Sequence, residues 1–455
     1  MDLTYSHASQ LIAGLLLGIM MFTACFIISP KKIFAVLIIL IPFQIISSQY
    51  GTLNMVLVYL IFLAFLISSK IKFWPFLLSV CCIFFIYICS TIFAPKNTWF
   101  NHTIYLITVG SDFALFYITY NMFSRDSDLK YALRLLMIMN AFAIVYSLVV
   151  FFFGAERIAF LGVSEWALNH NTMERVRLLG AFNSPGVTAI FFASQMMFLL
   201  YAAFFTEKGK LKYFCYLMVL INFALVVAEG SRGSFFALAI MLPVLIFMLK
   251  PGIGVIKVTR LAIIGSLCFV ALAFYVVFQT DHNRLFEKIT GTEVNALGIP
   301  DTRQQAFEMT FKELNEKIMF GHGPTIQLLI EAQKNQNIIF GQSRGLQVFP
   351  HNLILYLLYT IGVLGLVAYG VFFFLILLKL LKAKHNQHPD NSIKYVPVLG
   401  IAYLGLLFLD QLKIEYLRFM FSDYQHYIFY LLGMLTAFAK IASSKEPQTN
   451  TMDRI

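Results

Sequence analysis

Charged residues along this chain gather into short clusters, and between them run thirteen apolar stretches long enough, or nearly long enough, to cross a bilayer as helices. They lie near residues 11–29, 33–47, 53–69, 74–93, 104–123, 131–153, 187–206, 213–229, 234–249, 260–279, 353–378, 395–410 and 425–441. The stretch 33–47 is short and holds Pro42, so a re-entrant segment and a total of twelve spans fit equally well. The pattern predicts an all-α integral membrane protein of about 12–13 transmembrane helices. It divides the chain into about ten helices over 1–279, with an outer loop at 154–186, then a large loop at 280–352. Helices return over 353–441, and a tail follows at 442–455. The first stretch has neither a basic start nor a small-residue cleavage pattern, so a removed signal peptide is not expected.

Composition agrees with lipid as the main solvent: 59% of the 455 residues are hydrophobic, 13% are charged, and 48 are phenylalanine. The six cysteines (Cys25, Cys81, Cys82, Cys89, Cys215, Cys268) all fall inside apolar stretches without metal-ligand spacing to a histidine. They read as small buried hydrophobes, with no disulfide and no metal site expected. A net charge of +11 fits loops facing anionic lipid and gives no sign of nucleic-acid binding.

The charge clusters alternate in kind. Lys31 and Lys32, Lys70 and Lys72, the run 207–212, Lys250 with Lys257 and Arg260, and the run 379–394 all fall on one side, which the positive-inside rule makes cytoplasmic. The loops 154–186 and 280–352 then face outside, as does the N-terminus if all thirteen stretches span. Sixteen lysines but only four arginines lie inside. Outside are six lysines and eight arginines: Arg157, Arg175, Arg177, Arg232, Arg284, Arg303, Arg344 and Arg418. Lysine serves topology as a hydrated point charge, whereas the planar arginine fork grips phosphate oxygens in pairs. An arginine-rich outer face therefore points to a phosphorylated lipid at the interface; ordinary salt bridges to outer acids are the plainer reading.

Two outer loops have local structure written into them. The first ends in "RVRLLGAFNSPG", whose Asn183, Ser184, Pro185 and Gly186 make a turn into the next span. The second contains "DTRQQAFEMTFKELNEKIMFGHG", an amphipathic helix capped at Asp301 or Thr302 and stopped by Gly321 and Gly323. A second short helix is expected from about Thr325 to Lys334, the pair lying along the interface as a roof.

Candidate chemistry collects at the outer ends of the spans. His351 opens the apolar run "HNLILYLLYTIGVLG". On a straight helix Gly362 returns to within about 20° of it and Gly365 to about 40° on the other side, leaving that face bare for a close helix contact. At a helix N-terminus the dipole favours a neutral, proton-accepting imidazole, a credible general base. Taken alone, an interfacial histidine that merely caps the helix explains it as well. Arg232, between Gly230 and Gly233 in "EGSRGS", sits in a tight turn open to close approach by a ligand, or else snorkels to headgroups. Arg303 lies in the first turn of the loop helix, where free N–H groups favour an anion, although Asp301 and Glu308 offer simple ion pairs. Arg177 precedes the "GAFNSPG" turn, with Glu174 as its plain partner. Asp112 is the one carboxylate near the middle of a span, expected to serve a nearby polar group.

His351-Asn352, nine residues, then Gly362-x-x-Gly365 resembles the signature of the O-antigen ligase family: a histidine, a small amide or hydroxyl residue, nine residues, glycine, two residues and a small residue. "SRG" at 231–233, the loop Arg303, "GHGP" at 321–324 and the "RLLGAFNSPG" turn are similar to that family's pattern, over roughly residues 170–380. The superfamily also contains O-antigen and capsule polymerases. The resemblance implies a GT-C-related membrane glycosyltransferase with a partly helical periplasmic loop and no cofactor. It would move a glycan from undecaprenyl pyrophosphate to a hydroxyl acceptor at the periplasmic face of the bacterial inner membrane. That acceptor is lipid A-core in a ligase and a lipid-linked glycan in a polymerase. Carried over, Arg232, Arg303 and Arg177 hold the pyrophosphate and His351 activates the hydroxyl. The loop departs from the family in lacking a plain Arg-x-x-x-Leu, since Val348 follows Arg344, and this leaves Arg344 without a role. A lipid-linked oligosaccharide transporter is the reading from another class, but transporters place broken polar helices at the midplane, and here polar groups gather at the outer interface.

Overall fold

The computed structural model describes residues 20, 23, 30–43, 47–48, 51–68, 74–153, 182, 185–229, 231–249, 309–315, 317–326, 328–330, 346–348, 350, 352–386, 388–412 and 422–444. The described chain is helical apart from two short ladders. Its long helices are α1 (Pro30–Leu40), α2 (Leu53–Ser68), α3 (Leu77–Phe93), α4 (Trp99–Met122), α5 (Ser127–Phe153) and α6 (Pro185–Tyr201). They continue as α7 (Lys210–Glu229), α8 (Arg232–Leu249), α9 (Leu353–Lys384), α10 (Val396–Gln411) and α11 (Ser422–Ser443). The expected stretches 11–29 and 260–279 lie largely or wholly outside the described residues.

Seven helices among the described residues are long and apolar enough to cross a membrane: Lys96–Met122, Ser127–Val149, Gly186–Thr206, Lys210–Ala228, Leu353–Lys384, Asn391–Gln411 and Asp423–Ser443. Leu53–Ile67, Leu77–Phe93 and Gly233–Leu249 are apolar and shorter. The protein is an all-α, multi-pass membrane protein. The stretch expected at 33–47 is not one continuous helix: α1 ends at Leu40, Ile41 and Pro42 turn the chain, and β1 (Ser47–Ser48) pairs antiparallel with β2 (Gly51–Thr52). Pro42 has no amide to continue the helix, which accounts for the early stop.

The interior is built on α4, α9 and α11, which meet through Phe113, Phe372 and Phe429, their ring centroids 5.0–6.1 Å apart. Gly433 lets α11 approach the Phe116 carbonyl of α4 closely enough that a Cβ would crowd it. Around this seam, α8 packs on α10 and α6, and α3 packs on α9. Groups assigned by charge to one side of the membrane do meet in the structure. Lys31 pairs with Asp128, and Arg134 grips Glu207 through two bonds of 2.9 and 3.1 Å. At the far end of α9, Lys379 donates to the Tyr120 hydroxyl of α4 at 2.6 Å.

The loop expected at 280–352 is described only in part. Residues 309–314 are helical, consistent with an amphipathic helix ending before Gly321. The short helix expected from about Thr325 to Lys334 is not what the structure shows at 328–330. That segment is strand β3 (Leu328–Ile330), paired antiparallel with β4 (Leu346–Val348) in the register Leu328 to Val348. Runs of Leu, Ile and Val suit a pleated ladder once a complementary segment lies alongside, and that partner is invisible to local periodicity.

Candidate functional site

The motif helix α9 begins with a double cap. Asn352 has an extended backbone, and its side-chain oxygen accepts from the Ile354 and Leu355 amides at 2.9 and 3.3 Å. This satisfies donors that a helix start otherwise leaves bare. Its Nδ2 donates to the Leu412 carbonyl at 2.9 Å, at the C-terminal end of α10. One amide side chain therefore closes the start of one span and the end of another, which fits a small amide residue after the histidine.

Ten residues further on, α9 breaks. Gly362 takes φ +72 and ψ −173, a conformation that side chains with a Cβ rarely adopt. The turn 318–323 enters the break and takes over its hydrogen bonds. The Val363 and Leu364 amides, which a continuous helix would give to Tyr359 and Thr360, instead donate to the carbonyls of Ile318 and Met319 at 2.9 and 3.3 Å. The freed carbonyls of Tyr359 and Thr360 accept from the amides of His322 and Gly323 at 2.8 and 3.0 Å. Ser90 of α3 adds a second bond to the Thr360 carbonyl at 2.9 Å. A broken helix is tolerated in a membrane protein when neighbouring groups satisfy the released backbone in this way.

Glycines make the contact possible. A Cβ on Gly362 would overlap the Met319 carbonyl, and one on Gly321, at φ +68, would overlap the Thr360 backbone. The straight-helix projection that put His351, Gly362 and Gly365 on one face fails, because the backbone turns at Gly362. The close contact there is with the loop turn and not with another helix. The atoms nearest to a Cβ on Gly365 belong to the side chain of Ile361 on its own helix.

Residues 217–370 match the model of a family described as O-antigen ligase. Over that third of the chain the sequence is similar to the O-antigen ligase family. The match runs from within α7 to within α9 and so includes Arg232, Arg303, the 321–324 turn, His351, Asn352, Gly362 and Gly365. No curated protein matches the chain. Of the site residues read from the sequence, Asn352, Gly362 and Gly365 are described in full. Arg232 is described by its backbone, as the first residue of α8, two residues separating it from the end of α7 at Glu229. His351, Arg303, Arg177 and Arg344 lie outside the described residues.

Outside the O-antigen ligase match, a buried polar cluster joins α2, α4 and α11. Asp423 accepts from Thr52 and Asn54, both at 3.0 Å. His426, one turn on, faces Ser111 at 2.7 Å and Asp112 at 3.7 Å through Nε2, with Nδ1 3.9 Å from Asp423. The expected polar neighbour of Asp112 is thus His426, a residue that sequence reading did not single out because it lies more than three hundred positions away.

Proposed function

We propose that the chain is a glycosyltransferase that takes a glycan from undecaprenyl pyrophosphate and joins it to a hydroxyl acceptor at the periplasmic face of the inner membrane. Its role would be an O-antigen ligase attaching O-antigen to lipid A-core. What carries the reading is the locked pair of motifs within the stretch similar to the O-antigen ligase family, where the GHGP turn fills the break in the His-Asn…Gly-x-x-Gly helix. Such a lock holds the helix that Asn352 caps, and His351, the preceding residue in the sequence, is taken to act from that start. Precise placement of a reacting group is worth many-fold in rate.

In this mechanism the acceptor hydroxyl attacks the anomeric carbon of the donor sugar. The new C–O bond forms as the bond from C1 to the phosphate oxygen breaks, and undecaprenyl pyrophosphate leaves with the electron pair. His351 takes the hydroxyl proton. Arg232, Arg303 and Arg177 stabilise the charge that grows on the pyrophosphate, a task suited to paired guanidinium donors.

A polymerase of the same superfamily is the second reading, favoured by outer arginines numerous enough to serve two lipid pyrophosphates. The glycan profile of a deletion strain separates the two. Loss of a ligase leaves lipid A-core bare while polymer accumulates on undecaprenyl pyrophosphate. Core carrying a single repeat unit would instead identify a polymerase. For either reading, Arg232→Lys keeps the charge but loses the fork, and is expected to cut transfer at least about tenfold with normal expression.

A further inference from the structure

A buried histidine stands against the locked turn with neither ring nitrogen hydrogen-bonded. His102, in the first turns of α4, is 0% exposed, and both Nδ1 and Nε2 lack a partner. The Cε1 and Nε2 atoms of its ring lie beside Gly323. A Cβ at position 323 would overlap Cε1 and come within 3.0 Å of Nε2, so only glycine admits this contact. Three residues along α4, the Tyr105 hydroxyl accepts from Tyr356 of α9 at 3.3 Å. Tyr356 also reaches the Pro324 carbonyl of the turn at 3.5 Å.

The two helices run in the same direction, because Tyr105, Phe113 and Tyr120 meet Tyr356, Phe372 and Lys379 in that order. His102 therefore lies on the same side of the Tyr105–Tyr356 contact as Asn352, towards the end of α9 where the motif begins. Burying two unpaired polar atoms lowers stability, and a phenyl ring would fill the same space without that cost. A neutral imidazole presents one N–H and one lone pair. Pyrophosphate only accepts and would satisfy one of the two. Sugar hydroxyls both donate and accept, and two neighbouring hydroxyls satisfy both.

Resting on the glycosyltransferase reading above, we propose that His102 is a substrate-contacting residue of the transfer site, which hydrogen-bonds hydroxyls of a bound glycan when Gly323, the last residue of the turn, gives up its bond to Thr360, whose carbonyl Ser90 still satisfies, while the Ile318 and Met319 bonds hold. Either the donor's sugar or the acceptor's sugar supplies that chemistry. The test compares purified wild type, His102→Phe and His102→Gln in detergent, titrating a polyprenyl-pyrophosphate-linked glycan and lipid A-core separately.

His102→Phe is expected to melt no lower than wild type, yet to lose at least about tenfold in kcat/KM. The glutamine variant, which keeps a donor and an acceptor, should recover part of that loss. A KM that rises for the donor alone assigns the contact to the donor sugar, and a rise for lipid A-core alone assigns it to the acceptor. Wild-type kcat/KM for both substrates in His102→Phe overturns the inference. If that variant does not fold, wild-type KM for both substrates together with wild-type kcat in His102→Ala overturns it equally. A wild-type protein that transfers no glycan removes the functional reading and this inference with it, whereas normal transfer by both wild type and His102→Phe removes the inference alone.

Discussion

A methyl group at position 362 would meet the Met319 carbonyl, and its residue would have to hold φ +72. The backbone conformation alone costs a residue other than glycine about 1–3 kcal/mol. The overlap then adds the loss of the Val363 and Leu364 bonds to the turn. At Gly365 the nearest atoms an added methyl meets belong to the Ile361 side chain, its Cβ included, but the backbone there carries no left-handed strain. Gly362→Ala is therefore expected to lower the melting midpoint in detergent clearly, and Gly365→Ala to lower it less. Equal midpoints for the two variants would contradict the break at Gly362. From sequence, both glycines were legible as parts of a motif but not as unequal parts. The difference lies in a contact with residues forty positions earlier, and a helical projection assumes the straight backbone that this contact removes. Asn352 was legible only as a motif residue, the capping role having been read for His351, and neither its cap nor its bond to Leu412 was drawn from the sequence, although an amide before an apolar run is a cap signal.

At the scale of elements, hydropathy marked most of the described long helices to within a few residues. A long apolar run has few alternatives to a helix once lipid is the solvent. Departures occur where pairing is non-local, as at α1 with its following ladder, at β3 with β4, and at the exchange between the 318–323 turn and α9. The buried cluster of Thr52, Asn54, Ser111, Asp112, Asp423 and His426 is likewise an agreement among distant elements. Within it Asp423 carries two hydrogen bonds, whereas Asp112 Oδ1 has none. Asp423→Leu leaves the Thr52 and Asn54 donors short of an acceptor in apolar surroundings and is expected to cost about 1–3 kcal/mol. Asp112→Asn keeps the shape, gives up no hydrogen bond at Oδ1 and should cost much less. Thermal melting in detergent checks the order. A larger loss for Asp112→Asn would mean that its charge and not Asp423 holds the cluster together.

For the whole molecule, the orientation proposed from the alternation of basic loops would put the Lys31–Asp128 and Arg134–Glu207 pairs at the cytoplasmic side, and Asn352 with the end of α10 opposite. The locked turn would then lie on the outer side, where a lipid-linked glycan and its acceptor are proposed to meet. His351 immediately precedes the Asn352 cap, so its role as base is the claim on which the account depends. The direct measurement is glycan transfer by purified protein supplied with undecaprenyl-pyrophosphate-linked glycan and lipid A-core, comparing wild type with His351→Gln. The account predicts transfer by wild type and a fall of about a hundredfold or more in the variant, the usual contribution of a positioned base, with donor binding unchanged. Wild-type turnover in His351→Gln would contradict it.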